Sequence, residues 1–140
     1  MATGFGILGA GMIAGLHAQA LKDSRRARLV AVCDIVEQRA GKLAADFAPD
    51  ATVYTKLDDM LSDSNVEVVN IVTPNHLHTE VTRAAIESGK HVLAEGPIGE
   101  TLEAAAGTLD LAEERAAAGA SRQVFQGDFE LGYIPVLHRV

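Results

Sequence analysis

The chain has no tryptophan, two tyrosines, four phenylalanines and one cysteine among its 140 residues. With so few aromatic rings, surfaces that recognise nucleic acid by stacking on bases are scarce. Cys33 on its own can form neither an internal disulfide nor a multi-cysteine metal site. No apolar run approaches the roughly 20 residues that span a bilayer. Basic residues are also scarce: 12 Lys and Arg stand against 19 Asp and Glu, a net charge of −7. That sign argues against nucleic acid and against an anionic membrane as partners. The opening MATGFGILGAGMIAGLHAQA lacks the basic segment that precedes the apolar part of a signal peptide, so a cytoplasmic protein is expected.

What is present is a hydrophobic fraction of 48%, enough for one domain with a core of ordinary size. Short β-rich runs alternate with longer helical ones. FGIL (5–8), ARLVAVC (27–33), TVY (52–54), VEVVNIV (66–72), HVLA (91–94) and RQVFQ (122–126) read as strands. Helices are expected over 12–22, 36–47, 57–63, 79–89 and 101–118. Strands 1, 2 and 4 are near-continuous apolar runs, as when helices cover both faces of a parallel sheet. The pattern predicts a Rossmann-type doubly wound α/β fold in three layers, α/β/α, with about six strands in the order 3-2-1-4-5-6. The alanine-rich stretch over 103–120 keeps helical spacing through Leu102, Ala105, Leu109 and Ala112 and reads as a surface helix.

Gly9-Ala10-Gly11-Met12-Ile13-Ala14 fits G-x-G-x-x-G/A between a strand and a helix. In that setting Gly9 permits the tight turn, Gly11 lets backbone approach a pyrophosphate, and Ala14 lets the helix lie close to the sheet. Phosphate charge would meet the helix's exposed N–H groups, so an acidic protein needs no basic side chain there. Asp34 follows strand 2 at the spacing of a carboxylate that binds the adenosine ribose and repels a 2′-phosphate. Arg39 comes only a turn up the next helix, which favours NAD over NADP. The competing reading makes Asp34 a helix N-cap.

Ligands of such sheets lie beyond the carboxyl ends of the strands, where the strand order reverses. Strand 4 ends in Thr73-Pro74-Asn75-His76-Leu77-His78; Pro74 stops the strand, and Asn75 can cap the next helix. Taken alone, Asn75 is a cap and His78 a surface residue. Strand 5 ends in Glu95-Gly96-Pro97.

GILGAGMIAGLHAQAL, AVCD and VEVVNIVTPNHLHTEVTRAAIESGKHVLAEGPIGETLEAA together resemble the N-terminal half of the Gfo/Idh/MocA oxidoreductases, relatives of glucose–fructose oxidoreductase and inositol dehydrogenase. The resemblance runs from about Gly4 to Phe125. It implies that Gly9, Gly11, Met12 and Ile13 hold the pyrophosphate of NAD, with His17 in the matching helix position. Asp34 would take the adenosine ribose. Thr73, Pro74, Asn75 and His78 would lie along the nicotinamide end, with Glu95 and Pro97 near the nicotinamide ribose. Two departures follow. The family has Glu-Lys-Pro after strand 5, and its lysine is assigned to orienting or proton-transfer work. Gly96 stands there and offers no proton, so no catalytic residue is assigned. The family also continues into a second domain with the substrate pocket.

Residues 1–126 are therefore expected to form the dinucleotide-binding domain, and 127–140 the start of a connection to a second domain absent from this chain. Apolar residues near Phe129, Tyr133 and Val136 would then favour self-association. Two functions remain in view. One is the cofactor half of an oxidoreductase that moves hydride between a sugar- or cyclitol-like hydroxyl and nicotinamide. The other is a non-catalytic dinucleotide-binding module or degenerate homologue. A domain for another adenosine ligand is disfavoured by the long match on the nicotinamide side.

Overall fold

The computed structural model describes residues 2–117 and 124–128. Strands β1 (Thr3–Leu8), β2 (Ala27–Cys33), β3 (Thr52–Tyr54), β4 (Val68–Ile71), β5 (His91–Glu95) and β6 (Phe125–Asp128) form one sheet. Their order is β3-β2-β1-β4-β5-β6, and every neighbouring pair is parallel. The helices are α1 (Ala14–Asp23), α2 (Glu37–Phe47), α3 (Leu57–Leu61), α4 (His78–Glu87) and α5 (Leu102–Ala117), with a 3-10 turn over Asn75–Leu77. This is the Rossmann-type architecture expected. The order reverses between β1 and β4, which places a crevice at the carboxyl ends of these two strands.

Both faces of the sheet are buried, which explains the continuous apolar runs. Ile7, Leu29 and Val32 pack with Ala14, Ala18 and Leu21 of α1 and with Ala40 and Leu43 of α2. Their neighbours Leu8, Ala31 and Cys33 point the other way, into a layer with Met60 of α3 and Ala85 and Ile86 of α4. Small alanines on α1 and α2 let those helices sit close, because period-2 strands and period-3.6 helices meet here without long side chains between them.

Several boundaries differ from the expectation. β4 is shorter than 66–72, although Val66 and Val72 are both buried beside it. β6 starts three residues later than the expected 122; residues 122 and 123 lie outside the described part, as do 129–140. α5 lies at the surface as expected, with a threonine at its buried position. Leu102 is 81% and Leu109 43% exposed, whereas Thr108 is fully buried. Thr108 can be buried because its hydroxyl donates to the Ala104 carbonyl, and Arg83 of α4 donates to the Gly107 carbonyl, drawing that side of α5 inward.

Cys33 closes β2 with its thiol in the core. Burial, with the Asp34 and Asp59 carboxylates nearby, pushes the thiol up to about 11. Thiolate is the reactive form. The folded protein is therefore expected to resist a disulfide-exchange thiol reagent at pH 8 and to react fully once unfolded in guanidinium. A rapid reaction without denaturant would show that Cys33 is accessible.

Candidate functional site

The site is built from the turn after β1. Gly9 has φ +100°, and a Cβ placed on it would lie 2.8 Å from the Val72 carbonyl oxygen. Its N–H donates to the Cys33 carbonyl at 2.8 Å, so the turn is sewn to the end of β2 while it touches the end of β4. Only glycine accepts both that φ and that contact. At Gly11 the situation is different: an added Cβ would meet nothing within 4 Å. The fold leaves this backbone bare without needing it bare. Ala14, fully buried at the start of α1, brings the helix against the sheet.

The amino end of α1 has no side-chain cap and no acidic residue in its first turn. The other four helices carry Glu37, Asp58 with Asp59, Glu80 and Glu103 at that place. Acidic side chains offset the positive end of a helix. At α1 that end is left for an anion from elsewhere.

Asp34 is held in two directions. Oδ2 accepts the Ala10 N–H at 2.7 Å, and Oδ1 accepts the Val36 N–H at 2.8 Å. The N-cap of α2 is Val36, so Asp34 braces the glycine turn instead of capping the helix. Each carboxylate oxygen accepts more than one hydrogen bond, which leaves capacity for ligand hydroxyls. Gly9, Gly11, Met12, Ile13, Asp34, Thr73 and Pro74 line one cavity of about 400 Å³. A second cavity of similar size opens beside it, between Asp34, Ile35, Thr55, His76 and Leu77. Arg39 of α2 lines both, as Asp34 does.

The remaining expected residues lie outside the lining of these cavities. Asn75 is exposed, and neither the 3-10 turn nor α4 has a side-chain cap, which corrects the capping role. His78 is only 1% exposed, not a surface residue. Its Nδ1 lies 2.8 Å from the Pro97 carbonyl and its Nε2 2.7 Å from the Thr73 carbonyl. Neutral imidazole donates to one of these and imidazolium to both. In either state the ring links the segment after β4 to the turn after β5. The Gly96–Pro97 peptide in that turn is cis.

Glu95, the last residue of β5, accepts from His17 of α1, with Oε1 2.7 Å from Nε2. Asn70 in the middle of β4 reaches the other ring nitrogen of His17, Nδ2 to Nδ1 at 2.9 Å. Asn70 was absent from the sequence reading. Its signal was there: one polar residue within the apolar run VEVVNIV.

Residues 3–120 match the model of the oxidoreductase family with an NAD-binding Rossmann fold. The chain belongs to this family. Inositol 2-dehydrogenase of Salmonella typhimurium strain LT2 is 38% identical over 97 residues, covering 69% of this chain and 29% of that enzyme. Glucose-6-phosphate 3-dehydrogenase of Bacillus subtilis strain 168 is 37% identical over 108 residues, covering 77% and 30%. The crystal structure of scyllo-inositol dehydrogenase from Lactobacillus casei with bound NAD(H) and scyllo-inositol superposes with a TM-score of 0.85 at 25% identity, covering 99% of this chain and 39% of that one. The chain thus spans under a third of these two curated relatives.

The match covers the glycine turn, the start of α1 and Asp34, all within residues 3–120. No helix among the described residues is long and apolar enough to cross a membrane. The two glycines of the turn should separate in experiment. Gly9→Ala is expected to destabilise the domain by more than about 2 kcal/mol in urea unfolding, from positive φ and the Val72 contact together. Gly11→Ala should stay within about 0.5 kcal/mol of the parent. Equal losses would mean that both glycines serve the fold.

Proposed function

We propose that this chain is the cofactor-binding part of an oxidoreductase that moves hydride between a sugar- or cyclitol-like hydroxyl and NAD. The observation that carries this reading is the shared cavity, where the glycine turn, Asp34 and the end of β4 meet. Gly9, Gly11, Met12 and Ile13 would present backbone to the pyrophosphate, and Asp34 would accept the adenosine ribose hydroxyls. Thr73 and Pro74 would lie under the nicotinamide half, and Glu95 would face its ribose. Asn75, His78 and Pro97 would shape that end, His78 through its two carbonyl contacts. Bound NAD supplies the hydride acceptor. The protein's share is orientation and exclusion of water. Relatives named for inositol and glucose 6-phosphate support a polyhydroxylated substrate. Its pocket would belong to a second domain, with the chain after β6, from residue 129, as the connection and a surface for self-association there; the expected start at residue 127 falls inside β6.

NAD is preferred to NADP in this reading, because Asp34 would face a 2′-phosphate at a few ångströms. Arg39 on the same cavity wall works in the opposite sense. Asp34 prevails, since its carboxylate is fixed by two N–H donors while Arg39 has a long rotatable stem. Titration followed by NADH's own fluorescence should give at least about tenfold tighter binding of NADH than NADPH, a difference of about 1.4 kcal/mol. Tighter NADPH binding would overturn the preference. No binding of either would overturn the site.

Gly96 favours a second reading, a dinucleotide-binding module without catalysis. At this position the chain offers no group to take the proton released when an alcohol is oxidised. In a protein that also carries the second domain, Gly96→Lys is expected to raise inositol-dependent NAD reduction by about 100-fold or more, the usual scale of positioned acid–base catalysis. Unchanged activity would show that the missing lysine is not what limits turnover.

A further inference from the structure

Three side chains from three elements form one line: Asn70 of β4, His17 of α1 and Glu95 of β5. We propose that Asn70 and His17 are positioning residues for Glu95: Asn70 holds His17 as the neutral tautomer with its proton on Nε2, and that proton fixes Oε1 of the Glu95 carboxylate. This inference rests on the reading that Glu95 faces the nicotinamide ribose.

The chemistry of the atoms sets the direction of each bond. Nδ2 of an amide donates and does not accept, so His17 Nδ1, 2.9 Å away, presents its lone pair. A neutral imidazole with a lone pair on Nδ1 carries its proton on Nε2. Nε2 lies 2.7 Å from Glu95 Oε1, the short distance of a bond to a charged acceptor. Glu95 Oε1 is therefore the acceptor of this bond, with Oε2 left to receive a ligand hydroxyl. Side-chain exposures of 13% for His17 and 16% for Glu95 keep the pair at the margin of solvent. Asn70 is 2% exposed.

A second observation concerns the other amide atom. Asn70 Oδ1 is buried and has no partner. A buried polar group without a partner is uncommon. Turning the amide over would put Oδ1 on His17 Nδ1, which then needs an Nδ1–H, and would leave Nδ2 buried without a partner instead. No other hydrogen bond of the Asn70 side chain opposes that rotation among the described residues. The orientation of the amide and the position of the imidazole proton are thus one coupled choice, and Asn70 in its present orientation selects Nε2–H.

Histidine-selective ¹⁵N labelling of the full chain reads this choice directly. Long-range ¹H–¹⁵N correlation at pH 7.5, with His17 assigned by its loss in His17→Gln, should show a protonated Nε2 and a bare Nδ1. In Asn70→Asp, nearly the same shape but with no N–H, the pattern should change to protonation at both nitrogens. Calorimetry then tests positioning: His17→Leu should weaken NAD about 10- to 100-fold, the usual loss for one hydrogen bond to a charged group. ADP, which lacks the nicotinamide ribose, should stay within about twofold, and His17→Gln, which keeps a donor, should recover most NAD affinity. A proton on Nδ1 in the parent overturns the tautomer, and equal weakening of NAD and ADP, or of neither, overturns positioning. If the parent binds neither NAD nor ADP, the dinucleotide reading fails and this positioning role fails with it, while the ¹⁵N pattern still decides the tautomer.

Discussion

The contact between Gly9 and the Val72 carbonyl is the constraint on which the rest of the site depends. β1 lies between β2 and β4 in the sheet, so its end must be joined to both. Gly9 N–H takes the Cys33 carbonyl, Ala10 N–H takes the Asp34 carboxylate, and the bare Cα of Gly9 rests on β4. Three strand ends are gathered within one residue's width. The position of α1, the orientation of Asp34 and the opening of the crevice follow from that junction.

Polar atoms around the crevice are held by backbone more than by opposite charges. Asp34 is fixed by two amide N–H groups, and His78 by two carbonyls. Lys42 and Asp46 form an ion pair on the exposed face of α2, whereas Glu95 is met by the His17 imidazole. This explains how an acidic chain accommodates an anionic ligand. The attraction comes from aligned peptide dipoles at α1, which net charge does not count. It also separates two kinds of contact: backbone N–H groups hold Asp34 beside the glycine turn, and a line of side chains joins β4, α1 and β5.

The fold was legible because both faces of the sheet are buried and the runs in β1, β2 and β4 are continuous. β2 and β3 fall on the residues expected, since Cys33 and Tyr54 are each followed at once by polar turn chemistry. The glycine turn was legible for the same local reason. His78 was not, because the groups that bury it are carbonyls of Thr73 and Pro97, which sequence shows as neutral backbone anywhere. The same applies to Asn70 and His17, 53 residues apart, which meet only after β1 and β4 have paired. The exposure of Leu102 and Leu109 fits the surface helix read from the sequence, whereas the burial of Thr108 was not legible, because it depends on a bond back to the Ala104 carbonyl. Local chemistry shows in a sequence, and groups that acquire a role by meeting a distant backbone atom do not.

Asp34 has a consequence for how such a domain can change over time. Its carboxylate is the acceptor for two backbone N–H groups, one from its own helix approach and one from the turn after β1. Replacing it by a side chain without an acceptor oxygen would take the partner from both donors together. Variation at this position is therefore coupled to the turn after β1, since a new side chain there must hold both donors or leave them to water.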